Sequence, residues 1–303
     1  MTTLEAPPIV AAPPVRPRKT RSVWAWLGVL PFFLFAFLFI GLPAMFLVVG
    51  SLVVEETGSI GLDNYAGLTG DCCAIAFRNS IQLSLITAIL GALFGLLLAA
   101  AVILGGLPSV LRSGLMTFSG VASNFAGIPL ALAFIFTLGN LGMVTKLIDD
   151  LFGINIQRDT GFSLYSMAGL ALVYLYFQFP LMVLVIAPAI EGLRQEWREA
   201  AENLGATPAQ YWRKVALPIL TPSILGAGIL LFGNAFGAHA TAFQLSGGTI
   251  QLATLVISSQ MSGDVLFNPG LGYAMAMGMV IIMGLSITAY SLLQRRAERW
   301  LRS

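Results

Sequence analysis

Charged side chains are scarce in this chain. Only 10% of its 303 residues are Asp, Glu, Lys or Arg, whereas an ordinary soluble domain carries about 25%. Hydrophobic residues make up 57% of the chain, so most of it can face lipid or a buried core. The net charge of +2 gives no reason to expect a nucleic-acid partner. The composition therefore predicts a protein that crosses a lipid bilayer several times.

Residues that bind metals or form disulfides are nearly absent. The two cysteines, Cys72 and Cys73, are adjacent, and neighbouring cysteines can be bridged only with strain. The single histidine, His239, excludes any site that needs several histidines. Clustered acids or a base-activated nucleophile are also missing from the apolar stretches. We therefore expect no metal site, no directly bound cofactor and no catalytic residue in this chain.

Six long stretches contain no Asp, Glu, Lys or Arg. Each is longer than the roughly 20 residues that a membrane-spanning helix needs, so we expect an all-α membrane protein with six transmembrane helices. The fifth stretch is too long for one helix, and its second part, residues 246–263, suits an external loop or an amphipathic segment. The charge-free stretches cover residues 22–54, 79–111, 113–145, 160–190, 215–263 and 265–294.

The basic residues are distributed unevenly about these stretches. Of the 16 Lys and Arg residues, thirteen lie in the N-terminal tail, at Arg112, in residues 191–218 or after residue 294, and only Arg78, Lys146 and Arg158 fall on the opposite side. Because Lys and Arg are enriched in cytoplasmic loops, both termini and the 191–218 loop are predicted to be cytoplasmic. The expected location is the plasma (inner) membrane of a prokaryote, as a multi-pass protein.

Two segments outside the charge-free stretches have a distinctive composition. Residues 1–21 hold five prolines and end in four basic residues, which is typical of a disordered basic tail. Residues 22–303 then form the six-helix domain. On the predicted outer side, residues 143–152 fit a short amphipathic helix lying on the surface, and they fit a plain solvated loop equally well.

Residues 191–218 are the most charged window of the chain, with four acids and four bases between two charge-free stretches. Residues 191–204 lack Pro and are rich in helix formers, so a helix is expected there. Glu191 and Arg194 are spaced to pair along that helix.

A glycine should divide this window into two helices. Gly205 is expected to end the first helix in the left-handed conformation. Thr207 and Pro208 should start the second, with Thr as the N-cap and Pro at the first helical position. Two short helices set at an angle form a surface that another protein can bind.

The same window carries a recognisable motif. Glu199-Ala200-Ala201 is followed after three residues by Gly205, and after nine more by Val215-Ala216-Leu217-Pro218. This pattern resembles the EAA motif of the permease subunits of ATP-binding-cassette (ABC) importers, with Val215 where Ile is usual. The resemblance implies that residues 199–204 dock into a groove on an ATP-hydrolysing subunit. It assigns ATPase coupling to Glu199, Ala200, Ala201, Gly205, Leu217 and Pro218.

Looser similarities extend the resemblance beyond the motif, at residues 61–65, 78–80, 236–248 and 268–272. The chain resembles the type I importer permeases that carry polyamines, iron, thiamine or phosphonate, and the spermidine/putrescine permeases in particular. The resemblance implies a second permease subunit, two ATPase subunits that bind ATP and Mg, and an extracytoplasmic binding protein. No G-x-x-x-x-G-K-[ST] motif occurs in the chain, so ATP hydrolysis is expected in a partner rather than in this non-catalytic subunit.

A few polar and aromatic residues within the charge-free stretches suit contact with a solute. Their hydrogen bonds and cation–π contacts would fit a small hydrophilic solute, a polyamine or related organic cation first. The alternative is that the same side chains join neighbouring helices and never meet the solute. The candidates for the translocation path are Tyr174, Tyr176, Gln178, Asn234 and His239.

A secondary transporter driven by protons or sodium is the competing class. Such proteins usually place Asp, Glu or His chains within the membrane, whereas the six stretches offer only His239. A permease subunit of an ABC importer explains the charged loop together with the uncharged spans, and it is the function that we expect.

The basic-residue distribution predicts on which side each loop lies. Cysteines introduced at Asp71 and at Ser303, in a background without Cys72 and Cys73, should react with a membrane-impermeant maleimide from opposite sides of the membrane. Labelling of both positions from the same side of sealed vesicles would contradict the six-span topology.

Overall fold

The computed structural model of the chain is mostly helical and describes residues 23–54, 58–262 and 268–302. The predicted basic tail, residues 1–21, lies outside the described residues. The chain forms two compact units, Met1–Phe46 and Leu47–Ser303.

The described part of the first unit is a helix that is apolar on all sides. Helix α1 (Val23–Ala36) leads through a π-helical turn (Phe37–Gly41) into α2 (Leu42–Leu52). Its phenylalanine side chains are exposed, and the rings of Phe35 and Phe39 stack with 4.6 Å between their centroids. A helix with apolar side chains on every face suits contact with lipid.

The second unit consists of helices joined by short connections. After α2 come the short α3 (Asp63–Ala66), a 3₁₀ turn (Gly67–Thr69) and the long α4 (Asp71–Leu104). The remaining helices are α5 (Ser109–Asn124), α6 (Ile128–Leu138), α7 (Met143–Phe152), α8 (Ile156–Asp159), α9 (Met167–Glu191), α10 (Gln195–Asn203), α11 (Pro208–Tyr211), a π-helical segment (Trp212–Ala216), α12 (Leu217–Phe236), α13 (Ala240–Ser246), α14 (Ala253–Ser262) and α15 (Pro269–Arg302).

Six helical segments within the described residues are long and apolar enough to cross a membrane, which confirms the predicted number. The predicted third stretch is divided, because α5 ends at Asn124 and the backbone turns at Gly127 before Pro129 opens α6. Gly127 has φ 77° and ψ −149°, a conformation that is open only to glycine at low cost. The six segments are Gly28–Leu52, Asp71–Leu104, Ile128–Phe152, Met167–Glu191, Pro208–Phe236 and Pro269–Arg295.

Proline does not interrupt the fourth span. Pro180 and Pro188 both lie inside α9, which remains helical from Met167 to Glu191. The helix therefore continues through both prolines. Neighbouring helices that pack against a proline-containing helix support it at the lost hydrogen bonds, and Pro180 is buried among them.

Helix α9 forms the centre of the second unit and packs against α4, α5 and α12. Its closest approach is to α4, at Gly91 and Gly95. A Cβ added at Gly95 would lie 2.6 Å from the carbonyl oxygen of Phe179 and would also overlap the Cβ of Met182. The four-residue glycine spacing in α4 therefore brings the two backbones together.

A cluster of side-chain hydrogen bonds closes the predicted outer end of α2. The side-chain amide of Asn64 donates to the carbonyl oxygens of Ser51 and Val53, at 3.2 Å and 2.8 Å. The hydroxyl of Tyr65 donates to the hydroxyl of Ser51 at 2.8 Å. The two Asn64 bonds satisfy carbonyls at the end of the helix, so Asn64 acts as a C-terminal cap, and Tyr65 adds a bond to the Ser51 side chain.

Two segments on the predicted outer side, which the sequence left open between helix and loop, contain helices. Helix α7 covers residues 143–152 and ends at Gly153 with φ 67°. Its Leu147 side chain is exposed. Helix α14 occupies much of residues 246–263 and packs against α4 and α15 with Leu255 buried. Neither segment is an irregular loop.

The packing of α4 against α9 predicts that Gly95→Ala destabilises the protein. The added methyl group overlaps backbone that cannot rotate away, and overpacking of this kind costs about 1–3 kcal/mol. Gly114→Ala in α5 is the matched control, because nothing lies within 4 Å of its added Cβ. Thermal unfolding in detergent should show a lower Tm for Gly95→Ala only, and equal values for the two variants would contradict the close approach.

Candidate functional site

The charged loop begins where α9 ends. Helix α9 stops at Glu191, the backbone turns through Gly192, and α10 starts at Gln195. The predicted helix over residues 191–204 is therefore shorter at its N-terminus. Glu191 is the last residue of α9, and it pairs with Arg112 of α5 rather than with Arg194.

Helix α10 carries the Glu-Ala-Ala residues on an exposed surface. Glu199 accepts a hydrogen bond from the side-chain amide of Gln195 at 2.8 Å, and Glu202 accepts one from the guanidinium of Arg198 at 2.9 Å. The hydrogen bond and the charge of Glu202 raise the pKa of Arg198, so that guanidinium stays protonated. Both pairs run along the helix itself, which leaves its outer surface free for another chain.

A large apolar side chain stands at the tip of the loop. Leu204 is 88% exposed, next to the turn that ends α10. A cavity of about 910 Å³ separates the loop from the end of α4, and Leu104, Arg194 and Trp212 are among the residues that line it. Helix α10 thus projects from the body of the domain. Leu204 fell within the predicted docking segment, but only the structure shows its exposure.

Gly205 ends α10 as predicted. It has φ 76°, and its N–H donates to the carbonyl of Glu202 at 2.9 Å. The N–H of Ala206 donates to the carbonyl of Ala201 at 2.9 Å. These two bonds make a Schellman motif, which fixes the angle at which the chain leaves the helix.

Helix α11 then starts with a complete capping box. The Thr207 hydroxyl accepts from the N–H of Gln210 at 3.3 Å, and the Gln210 side chain accepts from the N–H of Thr207 at 2.8 Å. Pro208 occupies the first turn, where its missing N–H has no cost. Both sides of the turn are therefore locked by local hydrogen bonds.

The Leu217-Pro218 end of the motif widens the helix. The N–H of Leu217 reaches back to the carbonyl of Trp212, a spacing of five residues that defines a π-helix. Pro218 cannot donate and its ring would strike the carbonyl of Lys214 in a regular helix, which accounts for the wider turn. Ala216 is fully buried, so the loop is anchored to the helix core at this point.

A second candidate site lies on the wall of an open cavity of about 380 Å³. Asn234 is exposed and His239 is half-buried there, and the imidazole of His239 stacks on Phe243 with 5.8 Å between ring centroids. The N–H of Gly127 donates to the Thr241 hydroxyl at 2.8 Å. The cavity thus brings the break between α5 and α6 next to the start of α13.

The other predicted path residues lie behind this wall. Tyr174 and Gln178 are fully buried. The Tyr174 hydroxyl donates to the carbonyl of Ala238 at 2.7 Å, and the Gln178 amide donates to the carbonyl of Leu231 at 2.8 Å. Tyr176 is half-buried, edge-on to Phe134. In this conformation Tyr174 and Gln178 join α9 to α12 and the turn after it, which is the packing alternative.

No group of three or more His, Cys, Asp or Glu side chains that could hold a metal ion occurs in the part of the chain that the structure describes. Cys72 is exposed and Cys73 is buried, and both are free.

Comparison with known proteins identifies a family. Residues 91–303 match the family described as "Binding-protein-dependent transport system inner membrane component". The chain is 28% identical over 239 residues to the trehalose transport system permease protein SugB of Mycobacterium tuberculosis, which covers 78% of this chain and 79% of that protein. It is 33% identical over 127 residues to the spermidine/putrescine permease PotB of Haemophilus influenzae, which covers 41% and 44%.

The fold is also similar to that of a solved structure. A bacterial ABC transporter involved in the import of the acidic polysaccharide alginate superimposes with a TM-score of 0.70 at 16% identity, over 90% of this chain and 95% of that chain. At that identity the match shows a shared type I importer fold. The chain is thus a multi-pass inner-membrane protein of a prokaryote, and it belongs to the binding-protein-dependent transport system inner membrane components, the permease subunits of ABC importers.

Proposed function

We propose that residues 191–218 dock this permease onto an ATP-hydrolysing partner subunit. The observation that carries the proposal is Leu204, an almost fully exposed leucine at the end of a helix whose turn is locked on both sides. A groove on a partner can bury this side chain, which the loop otherwise leaves in water. Burial of one leucine side chain contributes about 1.5–3 kcal/mol.

The polar residues of the same helix would orient it in the partner's groove. Glu199 and Ala200 are exposed beside Leu204, so a groove would meet a carboxylate, a small flat surface and an apolar tip in sequence. The rigid turn at Gly205 sets the angle of this surface. At the other end of the loop, Leu217 and Pro218 shape the widened helix that connects the docked segment to α12.

We propose further that the cavity beside His239 is the part of the translocation path that this chain contributes. A second permease subunit would close its open side. Asn234 and His239 offer hydrogen-bonding groups to a passing solute. The side chains behind the cavity wall support its shape and would not touch the solute; they are Tyr174, Tyr176 and Gln178.

The substrate that we propose is a small hydrophilic solute, with a polyamine or related organic cation first. The cavity wall carries no Lys or Arg among its described lining residues, so no fixed positive charge repels a cation. Phe243 is exposed beside His239, and its free ring face suits weak cation–π contact of about 0.5–1 kcal/mol. The alternatives are the other solutes of this family, and trehalose and sulfate head the relatives.

The complete importer that we propose contains two ATPase subunits with bound ATP and Mg, a second permease subunit and an extracytoplasmic binding protein. Weak contacts in the path suffice in such an assembly, because the binding protein supplies the affinity. The permease then needs to offer passage rather than tight binding.

The docking proposal predicts that Gly205→Val uncouples the importer. A β-branched residue at φ 76° costs about 1–2 kcal/mol or more, and relief of that strain would tilt α10. Gly205→Asn is the matched control, since Asn tolerates the left-handed region. Glu199→Lys should weaken retention of the ATPase subunits. We expect normal membrane insertion in all three variants, and transport lost only in Gly205→Val and Glu199→Lys.

The measurement is copurification of the ATPase subunits together with ATP-driven uptake in proteoliposomes. Wild-type uptake and wild-type subunit retention in both Gly205→Val and Glu199→Lys would show that the loop does not dock the ATPase.

The substrate proposal predicts uptake of spermidine or putrescine by the whole complex. Proteoliposomes would be offered spermidine, putrescine, thiamine, trehalose and sulfate in parallel. Asn234→Leu should lower the uptake of the accepted solute by about two- to tenfold, as expected for one lost hydrogen bond, while ATPase retention is unchanged. Uptake of trehalose or sulfate alone would overturn the cation proposal and leave the importer assignment intact.

A further inference from the structure

An ion pair joins the root of the charged loop to a different helix. The guanidinium of Arg112, in the first turns of α5, donates to the carboxylate of Glu191, the last residue of α9. Arg112 is the only charged residue in α5. Neither residue belongs to the Glu-Ala-Ala pattern, and Glu191 lies at the root of the docking segment, before the exposed helix α10 that would make the contact.

Helix α5 runs from this ion pair to the candidate path. Its 16 residues correspond to a rod of about 24 Å at 1.5 Å per residue. At the far end, Ala126 and Gly127 line the cavity that also holds Asn234 and His239. Gly127 is held there by Thr241, whose hydroxyl accepts from its N–H at 2.8 Å and donates to its carbonyl at 3.3 Å.

The two ends of α5 are therefore fixed to different functional places. One end is tied to the residue from which the docking loop departs, four residues before α10 begins. The other end is tied to the cavity wall. Between them α5 packs along α9, so a displacement of the loop root has a stiff element through which it reaches the cavity.

The ion pair itself is poorly suited to a purely structural role. The Arg112 and Glu191 side chains are 40% and 48% exposed, and exposed ion pairs add little to folding stability. Its removal should leave the fold intact. The pair provides a directional link between α5 and α9, which otherwise meet through apolar packing.

We propose that Arg112 and Glu191 are positioning residues that transmit movement of the docked loop through α5 to the Gly127–Thr241 contact at the path. This proposal rests on the docking function of residues 191–218. It concerns a step after docking, so docking itself should survive the loss of the pair.

The test is charge reversal in the complete importer reconstituted in proteoliposomes. Arg112→Glu and Glu191→Arg should each retain the ATPase subunits and continue to hydrolyse ATP, but solute taken up per ATP hydrolysed should fall about fivefold or more, the range of typical coupling energies. The double variant Arg112→Glu/Glu191→Arg restores the pair with reversed charges, and it should return the ratio toward the wild-type value. Lys146→Glu on α7 reverses an exposed charge outside the link and should leave the ratio unchanged.

The outcomes separate this proposal from the docking assignment. Single variants that keep the wild-type ratio, or a double variant as poor as the singles, would overturn the link while docking stands. Loss of the ATPase subunits from the single variants would also overturn it, because the pair would then act on assembly. Failure of docking would instead be seen in Glu199→Lys, which leaves the Arg112–Glu191 pair in place.

Discussion

Exclusion of charge from the bilayer is the constraint on which the rest of this structure depends. The six spanning segments cannot hold unpaired ionised groups, so charge is concentrated at the membrane surfaces and above all in residues 191–218. Cohesion between the spans must then come from packing and a few hydrogen bonds. Gly91 and Gly95 allow α4 to approach α9, and the amide of Gln178 bonds the carbonyl of Leu231.

The same constraint shapes the function of the permease. The path that we propose has no fixed charge and offers only weak contacts to a hydrophilic solute. Weak contacts let the solute pass without being held tightly. In the function that we propose, energy is delivered from outside the membrane through the loop, which presents a polar and apolar surface held by a rigid turn. Local hydrogen bonds around Gly205 and Thr207 fix the shape of that surface, and the buried Ala216 anchors it to the helix core.

Local chemistry decided how much the sequence could predict. Gly205, Thr207 and Pro208 follow rules that act over a few residues, and the structure confirms the turn that they predict. The number of spans followed from their lack of charge. The partner of Glu191 could not be predicted, because Arg112 lies far away in the sequence. Burial of Tyr174 likewise depends on how four helices meet, which composition does not reveal.

Cross-linking can detect the contact that we propose between the ATPase and the exposed tip of α10. A single cysteine at Leu204, in a chain without Cys72 and Cys73, would be linked to the ATPase subunit of the assembled importer by a short bifunctional reagent. A cysteine at Leu147 in α7, which is also exposed, is the control on the predicted opposite face. Docking of α10 onto the ATPase predicts a cross-link from position 204 and none from position 147. The reverse result, or no cross-link from position 204, would contradict that docking.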